Sequence, residues 1–577
     1  MTTPEPEQAS PRESKVLAIF GYLFLAAGGA TVASAAYLMR AGYSVVPYWD
    51  ELDEMALYMA ATHKSVLAWI WAQHNEHRLL FYKSLFIVDM HFFRGRNWPM
   101  YVAIFLSQAA VAVLIAYMLR QVGNLGKAVR YACIGLTLYC LFCASQSENF
   151  TCAFQLSFVL VNVWVVAAVL CLLIEKQRLA WGRPISTGIL VLSLLAAVAA
   201  TFTNGNGISV WPTLILVALL AKLPWRMVVL YLVGLACVVA VYLIGYYSPP
   251  QHASPIASLR QPRLLLEYVD KYLGGIVPRG FEEAAPLIGL MGLVIAAVLV
   301  SRLIVQRGSS ATLEYGLAGI VVYCVATAIL TSLGRLNFGS NQAFASRYET
   351  FALLFWLGLC LWVIAIVAEQ GNANLLVAVY LLLAMVMAYS ATQYRRILHE
   401  VLLSTATRNL AGVGMITGVH DIKFLERAIL PFPIAWPEID EVRSQRLSLF
   451  STPQARQFGQ KFADVYRIGP EDACEGNPGL LFNVSANPND VGVRGWAIER
   501  KNGEAVKRVV LVADGTIAGF AVPGFEPIGS SDESSAQHPR NSGWIGYAKL
   551  NGSPTLDFYA IVANQQACHF GALRTGE

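Results

Sequence analysis

The chain has 577 residues, of which 56% are hydrophobic and only 14% are charged, and its net charge is +5. A soluble protein carries about 25% charged residues, so this composition excludes an ordinary soluble enzyme, a disordered chain and a nucleic-acid binder with a dense basic stripe. Residues 1–395 carry a net charge of +7 and residues 396–577 a net charge of −2. The sequence therefore predicts a polytopic α-helical membrane protein with one soluble appendage.

Residues 16–395 are predicted to form a membrane domain of eleven helices after an N-terminal tail, 1–15. A helix needs about 20 mostly apolar residues to cross a bilayer, and ten uncharged runs reach roughly that length. One of them, 184–221, is long enough for two helices and has the turn sequence 203–207 at its middle. The runs are 16–39, 97–119, 131–147, 149–174, 184–221, 227–259, 284–301, 315–334, 350–368 and 370–394.

Lys and Arg density predicts that the N-terminus is cytoplasmic, because cytoplasmic loops are enriched in both residues. Segments 120–130 and 175–185 carry three each, whereas 146–153 and 203–207 carry none. The first run ends in a sequence like a signal-peptidase site at 33–35, but it is longer than a signal core, which favours a retained anchor. Eleven crossings then place the first loop and the C-terminal block outside the cell membrane.

The C-terminal block is predicted to be a helical connector, 396–449, with a short helix at Asp421–Ile429, and a β-sandwich-like domain, 450–577. Cys474 and Cys568 are the two cysteines of this block, and in an oxidising compartment such a pair indicates a disulfide, the alternative being two unrelated thiols. The domain could bind a sugar, a lipid head group or a partner, or only cap the membrane domain. The predicted strands are Val509–Ala513, Ile517–Val522, Gly543–Leu550 and Thr555–Ala563.

The first outer loop, 40–98, contains the strongest candidate for chemistry, the adjacent acids Asp50 and Glu51. One ionised carboxylate could act as a general base while the other orients it or a metal; the alternative is a solvated turn after the first span. Val66–Trp71 and Leu79–Phe93 are too short and polar to span, and they suit helices that lie in the membrane interface. Such helices would hold the acids at the depth of lipid head groups.

Polar residues of the predicted outer loops are expected to converge on one external site, because polar groups near a membrane are costly and usually functional. Candidates for phosphate binding are Arg347, Arg335, Lys271, His77 and Arg78, since a guanidinium suits an anionic phosphate. Alternative roles are a polar interfacial face and anchors that reach to the interface. The candidates for substrate binding are Tyr48, Trp49, His74, Glu76, Glu148, Asn149, Gln155, Asn204, Asn206, Asn341 and Tyr348, and the fourth and fifth outer loops also contain Tyr268, Arg279 and Asn337.

Several common chemistries are absent from the sequence. There is no Walker phosphate loop, no Gly-x-Ser-x-Gly nucleophile motif and no Cys-x-x-Cys pair. The spacing of His74 and His77 differs from the His-Glu-x-x-His of zinc proteases. Ion-driven transporters place charges near the membrane midplane, whereas the centres of these runs are nearly free of charge, which favours an enzyme at one membrane surface.

This layout resembles the GT-C class of integral-membrane glycosyltransferases. The matching features are the Asp50-Glu51 pair just after the first span, interfacial helices in the same loop, about eleven spans and a C-terminal periplasmic domain. The layout is similar to that of the lipid A aminoarabinose transferase and the protein O-mannosyltransferases, with pilin arabinofuranosyltransferases as a possible neighbour. The resemblance covers the whole chain in architecture, but its only motif-level match is the acid pair.

The resemblance implies transfer of a sugar from a polyprenyl-phosphate donor, such as undecaprenyl phosphate, to a periplasmic protein, glycan or lipid at the bacterial inner membrane. It implies Asp50 as general base, Glu51 in support, and inversion at the anomeric carbon. Arg347, with Arg335 and Lys271, would neutralise the leaving phosphate, together with His77 and Arg78. No second carboxylate motif of the oligosaccharyltransferase kind occurs, so no cofactor is firmly implied, although Glu148 could ligate a divalent metal.

Two other functional classes remain open from the sequence. A translocator of lipid-linked saccharides would use the outer loops as an exit vestibule and would need a polar path through the membrane. A cell-envelope scaffold would use its β domain to recruit partners.

Overall fold

A computed structural model describes most of the chain. The described residues are 15–121, 125–249, 255–277, 280–305, 312–421, 424–425, 436–485, 487–527, 539–562 and 566–574. The predicted N-terminal tail, apart from Lys15, lies outside them. Arg279 and most of the helix predicted at Asp421–Ile429 also lie outside them.

The N-terminal two thirds of the described chain are helical, and the connector to the soluble domain holds three further short helices. The first eighteen helices are α1 (Lys15–Ala41), α2 (Asp50–Thr62), α3 (Val66–Trp71), α4 (Leu80–Phe93), α5 (Trp98–Gln121), α6 (Lys127–Leu141), α7 (Ser147–Thr151), α8 (Leu156–Ala180), α9 (Thr187–Thr203), α10 (Val210–Leu220), α11 (Trp225–Tyr242), α12 (Pro255–Leu259), α13 (Pro262–Leu273), α14 (Ala285–Val305), α15 (Thr312–Arg335), α16 (Glu349–Glu369), α17 (Ala373–Thr392) and α18 (Tyr394–Thr417). The connector continues with α19 (Trp436–Ser444), α20 (Pro453–Gln457) and α21 (Phe462–Val465).

Within the described ranges, nine helical segments are long and apolar enough to cross a membrane. They are α1, α5, α6, α8, α11, α14, α15, α16 and the continuous pair α17–α18, some extended by short helical turns. Nine of the ten apolar runs therefore form such segments, which confirms a multi-pass membrane protein. The most apolar windows of α8 and α16 are 72% buried, whereas that of α1 is 17% buried, so α8 and α16 lie at the centre of the bundle.

The tenth run is broken where the turn sequence predicts. Helix α9 ends at Thr203, and the Asn204 side chain accepts a hydrogen bond from the backbone N–H of Asn206 at 3.0 Å. A Cβ on Gly207 would lie 1.9 Å from the carbonyl oxygen of Ala200, so only glycine permits this close approach. Helices α9 and α10 are each shorter than a perpendicular span needs, and eleven crossings stay a prediction.

The first connection is helical almost throughout. The two interfacial segments form α3 and α4 with nearly the predicted bounds. Asp50 does not lie in a solvated turn, because it begins the 13-residue helix α2. The helix in the uncharged run 227–259 is shorter than the run, since α11 ends at Tyr242.

The soluble domain is one eight-stranded sheet curled into a half-barrel, where the sequence predicts a sandwich. Alternating residues identify strands but not their partners, and four register shifts bend the sheet. The strands are β1 (Arg467–Ile468), β2 (Cys474–Asn483), β3 (Asp490–Glu499), β4 (Val509–Ala513), β5 (Thr516–Phe525), β6 (Gly543–Lys549), β7 (Thr555–Ile561) and β8 (Gln566–Arg574), in the order β1-β8-β7-β4-β5-β6-β3-β2. All pairs are antiparallel except β1 with β8.

The sheet and the connector pack on the end of the helical bundle where the first connection lies. The Tyr547 hydroxyl donates to Asp421 at 3.0 Å, which joins the sheet to the end of α18. Arg96, in the first connection, donates to the hydroxyl and carbonyl oxygens of Ser451 at 2.9 and 3.0 Å. The backbone N–H of Ser448 donates to the carbonyl of Arg94 at 2.7 Å. These contacts of the connector therefore hold the first connection in place.

The predicted disulfide between Cys474 and Cys568 is confirmed, and it ties β2 to β8 across 94 residues of sequence. We expect Cys474→Ser to lower the stability of the sheet by about 5 kcal/mol in the chain-entropy account of a loop this long. Thermal unfolding of the purified protein, with and without reductant, measures the loss. Cys237→Ser, at an exposed free cysteine, is the control, and equal stability of both variants would contradict the prediction.

Candidate functional site

A tight turn in the first connection organises the polar residues of the site. The backbone N–H of His74 donates to the carbonyl of His77 at 2.8 Å, and the reverse bond is 2.9 Å. Asn75, inside this turn, has φ = 49°, a left-handed conformation that asparagine tolerates better than most residues. The turn places both imidazoles in buried positions, one toward α2 and the other toward the break between α9 and α10.

His74 joins two carboxylates of α2. Its Nδ1 lies 2.7 Å from Oε1 of Glu54, and its Nε2 lies 3.4 Å from Oδ1 of Asp50. Behind Glu54, the Lys83 ammonium lies 3.4 Å from the same carboxylate oxygen and donates to two backbone carbonyls. His74, Glu54 and Lys83 are at most 4% exposed, whereas the Asp50 side chain is 45% exposed. We call these four residues the charge relay.

The contact between His74 and Asp50 determines the charge states of these two side chains. Burial alone would lower the pKa of His74, but the hydrogen bonds that its ring donates to Asp50 and Glu54, together with the charges of these carboxylates, raise it to about 10. Desolvation alone would raise the pKa of Asp50, but the hydrogen bond and charge of His74 outweigh this effect and lower the pKa. At neutral pH, an imidazolium therefore holds an ionised and partly exposed carboxylate.

Asp50 and Glu51 have different environments although they are adjacent. Glu51 is 3% exposed and accepts a hydrogen bond from the side-chain amide of Asn97. Burial raises the pKa of Glu51 to about 8, despite this hydrogen bond and with a further contribution from the charge of Asp89. Trp49, just before the helix, has φ = 52°, a strained backbone conformation of the kind that concentrates at functional sites. Of the two acids, Asp50 is the one available to a substrate.

A second group of polar residues, from later loops, surrounds Arg347. Its guanidinium donates to Glu148 at 2.9 Å, and Gln155 donates to the same carboxylate oxygen at 3.0 Å. The side-chain amide of Asn149 donates to the carbonyl of Arg347 at 3.1 Å. The Arg347 guanidinium also lies 5.1 Å above the ring of Tyr348. This cluster connects the loop before α8 with the loop before α16.

A third group lies around Glu76, in the tight turn. Arg335 donates to Oε1 of Glu76 at 2.6 and 3.1 Å, and the His77 ring lies 3.4 Å from the same oxygen. The tight turn joins these groups, because His74 contacts Asp50 and Glu76 binds Arg335. The charges of Arg347 and Arg335 also favour the ionised form of Asp50 and so help to lower its pKa. We call the region around these groups the polar chamber; it brings together residues from three of the predicted outer loops.

An apolar cleft of 330 Å³ adjoins the polar chamber. Glu76, His77, Asn206 and Tyr348 form its polar part. Most of the other lining residues are apolar, and α11 and α15 contribute six of them. The further lining residues are Phe158, Gly205, Ile208, Val239, Tyr242, Leu243, Tyr246, Pro255, Leu330, Thr331, Leu333 and Gly334. An amphiphile with an anionic end could therefore place that end at the chamber and its chain between the helices.

Several predicted site residues make structural contacts. Arg78 is 1% exposed and donates to the carbonyls of Trp71, Tyr242 and Ile244, so its donors hold the end of α11. Lys271 donates to Ser340 and to the predicted site residue Asn341 at 2.8 and 2.9 Å, and pairs with Glu267 at 2.8 Å. Asn204 is fully buried at the break after α9.

Sequence reasoning missed Glu54, Lys83, Asn97 and Arg408. A lysine within the apolar segment of α4 is a signal that could have revealed Lys83. Arg408, on α18, donates to the carbonyls of Thr151 and Gly42 at 2.7 and 2.9 Å, and it lies 5.2 Å from the ring of Tyr48. No local pattern links a connector residue to the first loop. Among the described residues, no group of three or more His, Cys, Asp or Glu side chains is arranged to hold a metal ion, and Glu148 is paired with an arginine.

No protein-family model, curated protein or solved structure matches this chain. The interpretation of the site therefore depends on its own geometry and chemistry.

The raised pKa of Glu51 predicts that the stability of the folded state falls as the pH rises. The folded state binds this proton more tightly than the unfolded state, so the stabilisation is complete below the unfolded pKa of about 4.5 and is lost as pH rises toward about 8. Glu51→Gln keeps the neutral form and an acceptor for Asn97. We expect its melting temperature to match that of the wild type at pH 5 and to exceed it at pH 9.

Thermal unfolding in detergent across this pH range tests the effect. Glu283→Gln, at an exposed acid, is the matched control and should change neither value. A melting-temperature difference for Glu51→Gln that does not vary with pH would contradict the assignment.

Proposed function

We propose that the chain is a membrane glycosyltransferase that moves a sugar from a polyprenyl-phosphate donor to an acceptor hydroxyl. The observation that carries the proposal is the polar chamber, where His74 keeps a partly exposed carboxylate ionised and the neighbouring turn residue Glu76 binds an arginine beside an apolar cleft. We further propose eleven crossings in a bacterial inner membrane, with the chamber and the C-terminal domain on the periplasmic side. The helical bundle and the resemblance in layout support this placement.

Asp50 is the proposed general base. Its carboxylate accepts the proton of the acceptor hydroxyl as that oxygen forms a bond to the anomeric carbon. The bond from the anomeric carbon to the phosphate oxygen breaks at the same time, and its electron pair leaves with the polyprenyl phosphate. Attack from the face opposite the phosphate inverts the anomeric carbon. His74 is a positioning residue, because it fixes the direction of the carboxylate and keeps it ionised.

Arg347 and Arg335 are the proposed ligands of the leaving phosphate. Negative charge grows on the departing oxygen, and preorganised guanidinium groups stabilise that charge more in the transition state than in the ground state. Glu148 and Glu76 keep the two guanidinium groups oriented in the absence of donor. The cleft beside Glu76 would hold the first isoprene units of the donor, with His77 at its polar end.

Replacing the proposed base should stop transfer. Asp50→Asn keeps the size and one hydrogen-bond acceptor but cannot take a proton, so we expect the rate to fall by about 10³-fold. The measurement is release of polyprenyl phosphate by purified protein from synthetic polyprenyl-phosphate mannose, glucose and arabinose, with envelope extract as the source of acceptor. Glu283→Gln, at an exposed acid away from the site, is the control. Full activity of Asp50→Asn would refute the base assignment.

Substitutions of Arg347 should separate the effect of its charge from the effect of its planar geometry. Arg347→Gln should lower kcat by about 10²-fold, and Arg347→Lys should recover only part of it, because a lysine cannot reproduce the planar fork. Native mass spectrometry with polyprenyl phosphate should show weaker retention of the lipid by Arg347→Gln. Arg263→Gln, at an exposed arginine of α13, should behave as wild type. Unchanged retention and turnover in Arg347→Gln would rule out the assignment.

A further inference from the structure

A groove of 1010 Å³ separates α18 from the curled sheet. Its α18 side is formed by one face of the helix, including Leu402, Leu403 and Ala406, and β5 lines the opposite side. The groove begins at Ala41, the last residue of α1, and at His399, in the second turn of α18. It therefore opens where the membrane helices end, at the surface of any bilayer around them.

The rim of the groove is cationic. Lys507 and Arg508 approach it from the segment just before β4, and Arg540 approaches it from the segment before β6. Glu526 is the one acid among its described lining residues. In the described part of the chain, no side-chain hydrogen bond or ion pair joins Lys507, Arg508 or Arg540 to another residue. Among the described lining residues, three positive charges thus meet a single negative charge at one concave surface.

The floor of the groove is aliphatic. Leu402 and Leu403 are 46% and 42% exposed at its membrane end, which is unfavourable in water but favourable beside acyl chains. None of the described lining residues is Phe, Tyr or Trp, so the groove lacks the large flat faces on which a sugar chain would stack. An apolar lower part with a cationic upper part instead matches an amphiphile whose chains remain in the bilayer and whose anionic head group rises into the groove.

We propose that this groove binds an anionic phospholipid. Lys507, Arg508 and Arg540 hold its phosphate, since clustered basic residues next to a membrane recognise anionic head groups. The acyl chains pass Leu403 toward the bilayer. Because one wall belongs to the membrane domain and the other to the sheet, the lipid bridges the two. This binding is separate from the polar chamber and does not depend on the proposed transfer reaction.

Charge reversal in the full-length protein tests the site. Purified protein is stripped of lipid in detergent and exposed to vesicles of equal parts phosphatidylglycerol and phosphatidylcholine, and retained lipid is counted by native mass spectrometry. We expect the wild type to retain phosphatidylglycerol preferentially. The variant Lys507→Glu/Arg508→Glu/Arg540→Glu should lose this preference by about tenfold or more. A triple variant that still prefers phosphatidylglycerol overturns the proposal.

A matched control separates the groove from general surface charge. Lys501→Glu/Arg467→Glu/Arg574→Glu changes the net charge equally at exposed positions of the same domain, outside the groove lining, and should retain the wild-type preference. Soluble glycerophosphoglycerol should compete poorly because it has no acyl chains. Equal competition by this head group would show that the site takes a soluble phosphate, and it would overturn the lipid assignment. Arg540→Gln, which neutralises one charge, should give an intermediate loss with an unchanged size-exclusion profile.

Discussion

Pairing of buried charge is the constraint on which the first connection depends. A charged group removed from water is strongly unfavourable unless an opposite charge and hydrogen bonds compensate it. His74, Glu54 and Lys83 are almost completely buried, and each lies within reach of the next. Helix α2, the tight turn and α4 must therefore pack so that these groups meet. In this packing Nδ1 of His74 contacts Glu54, and Nε2 faces Asp50 at the edge of the chamber.

This arrangement gives two neighbouring acids opposite properties. Successive residues of a helix point about 100° apart, so Asp50 faces the chamber while Glu51 points into the core against Asn97. The relay keeps Asp50 ionised, and burial favours the neutral form of Glu51. A proton acceptor and a structural acid can therefore occupy consecutive positions. The chamber adds two arginines, each oriented by its own carboxylate.

Distant parts of the chain hold this connection in place. Arg96 and Ser451 are bonded across 355 residues of sequence, and Arg408 donates to the carbonyl of Gly42 across 366. The connector between the membrane helices and the sheet is thus part of the support of the site. The groove between α18 and the sheet extends this interface to the membrane surface, where a bound lipid would couple the soluble domain to the bundle.

Local chemistry was sufficient for much of the fold and for half of the site. Apolar runs predicted the membrane helices because in lipid each helix must satisfy its backbone hydrogen bonds internally. The turn at Asn204 and the pair of cysteines in the C-terminal block could also be recognised in the sequence. Outer-loop polarity predicted that these loops would converge on one site, and contacts such as Arg347 with Glu148 and Arg335 with Glu76 do join residues of different loops. The curl of the sheet, the partners of each arginine and the different environments of Asp50 and Glu51 were decided only by tertiary structure, because they depend on burial and on contacts between residues hundreds of positions apart.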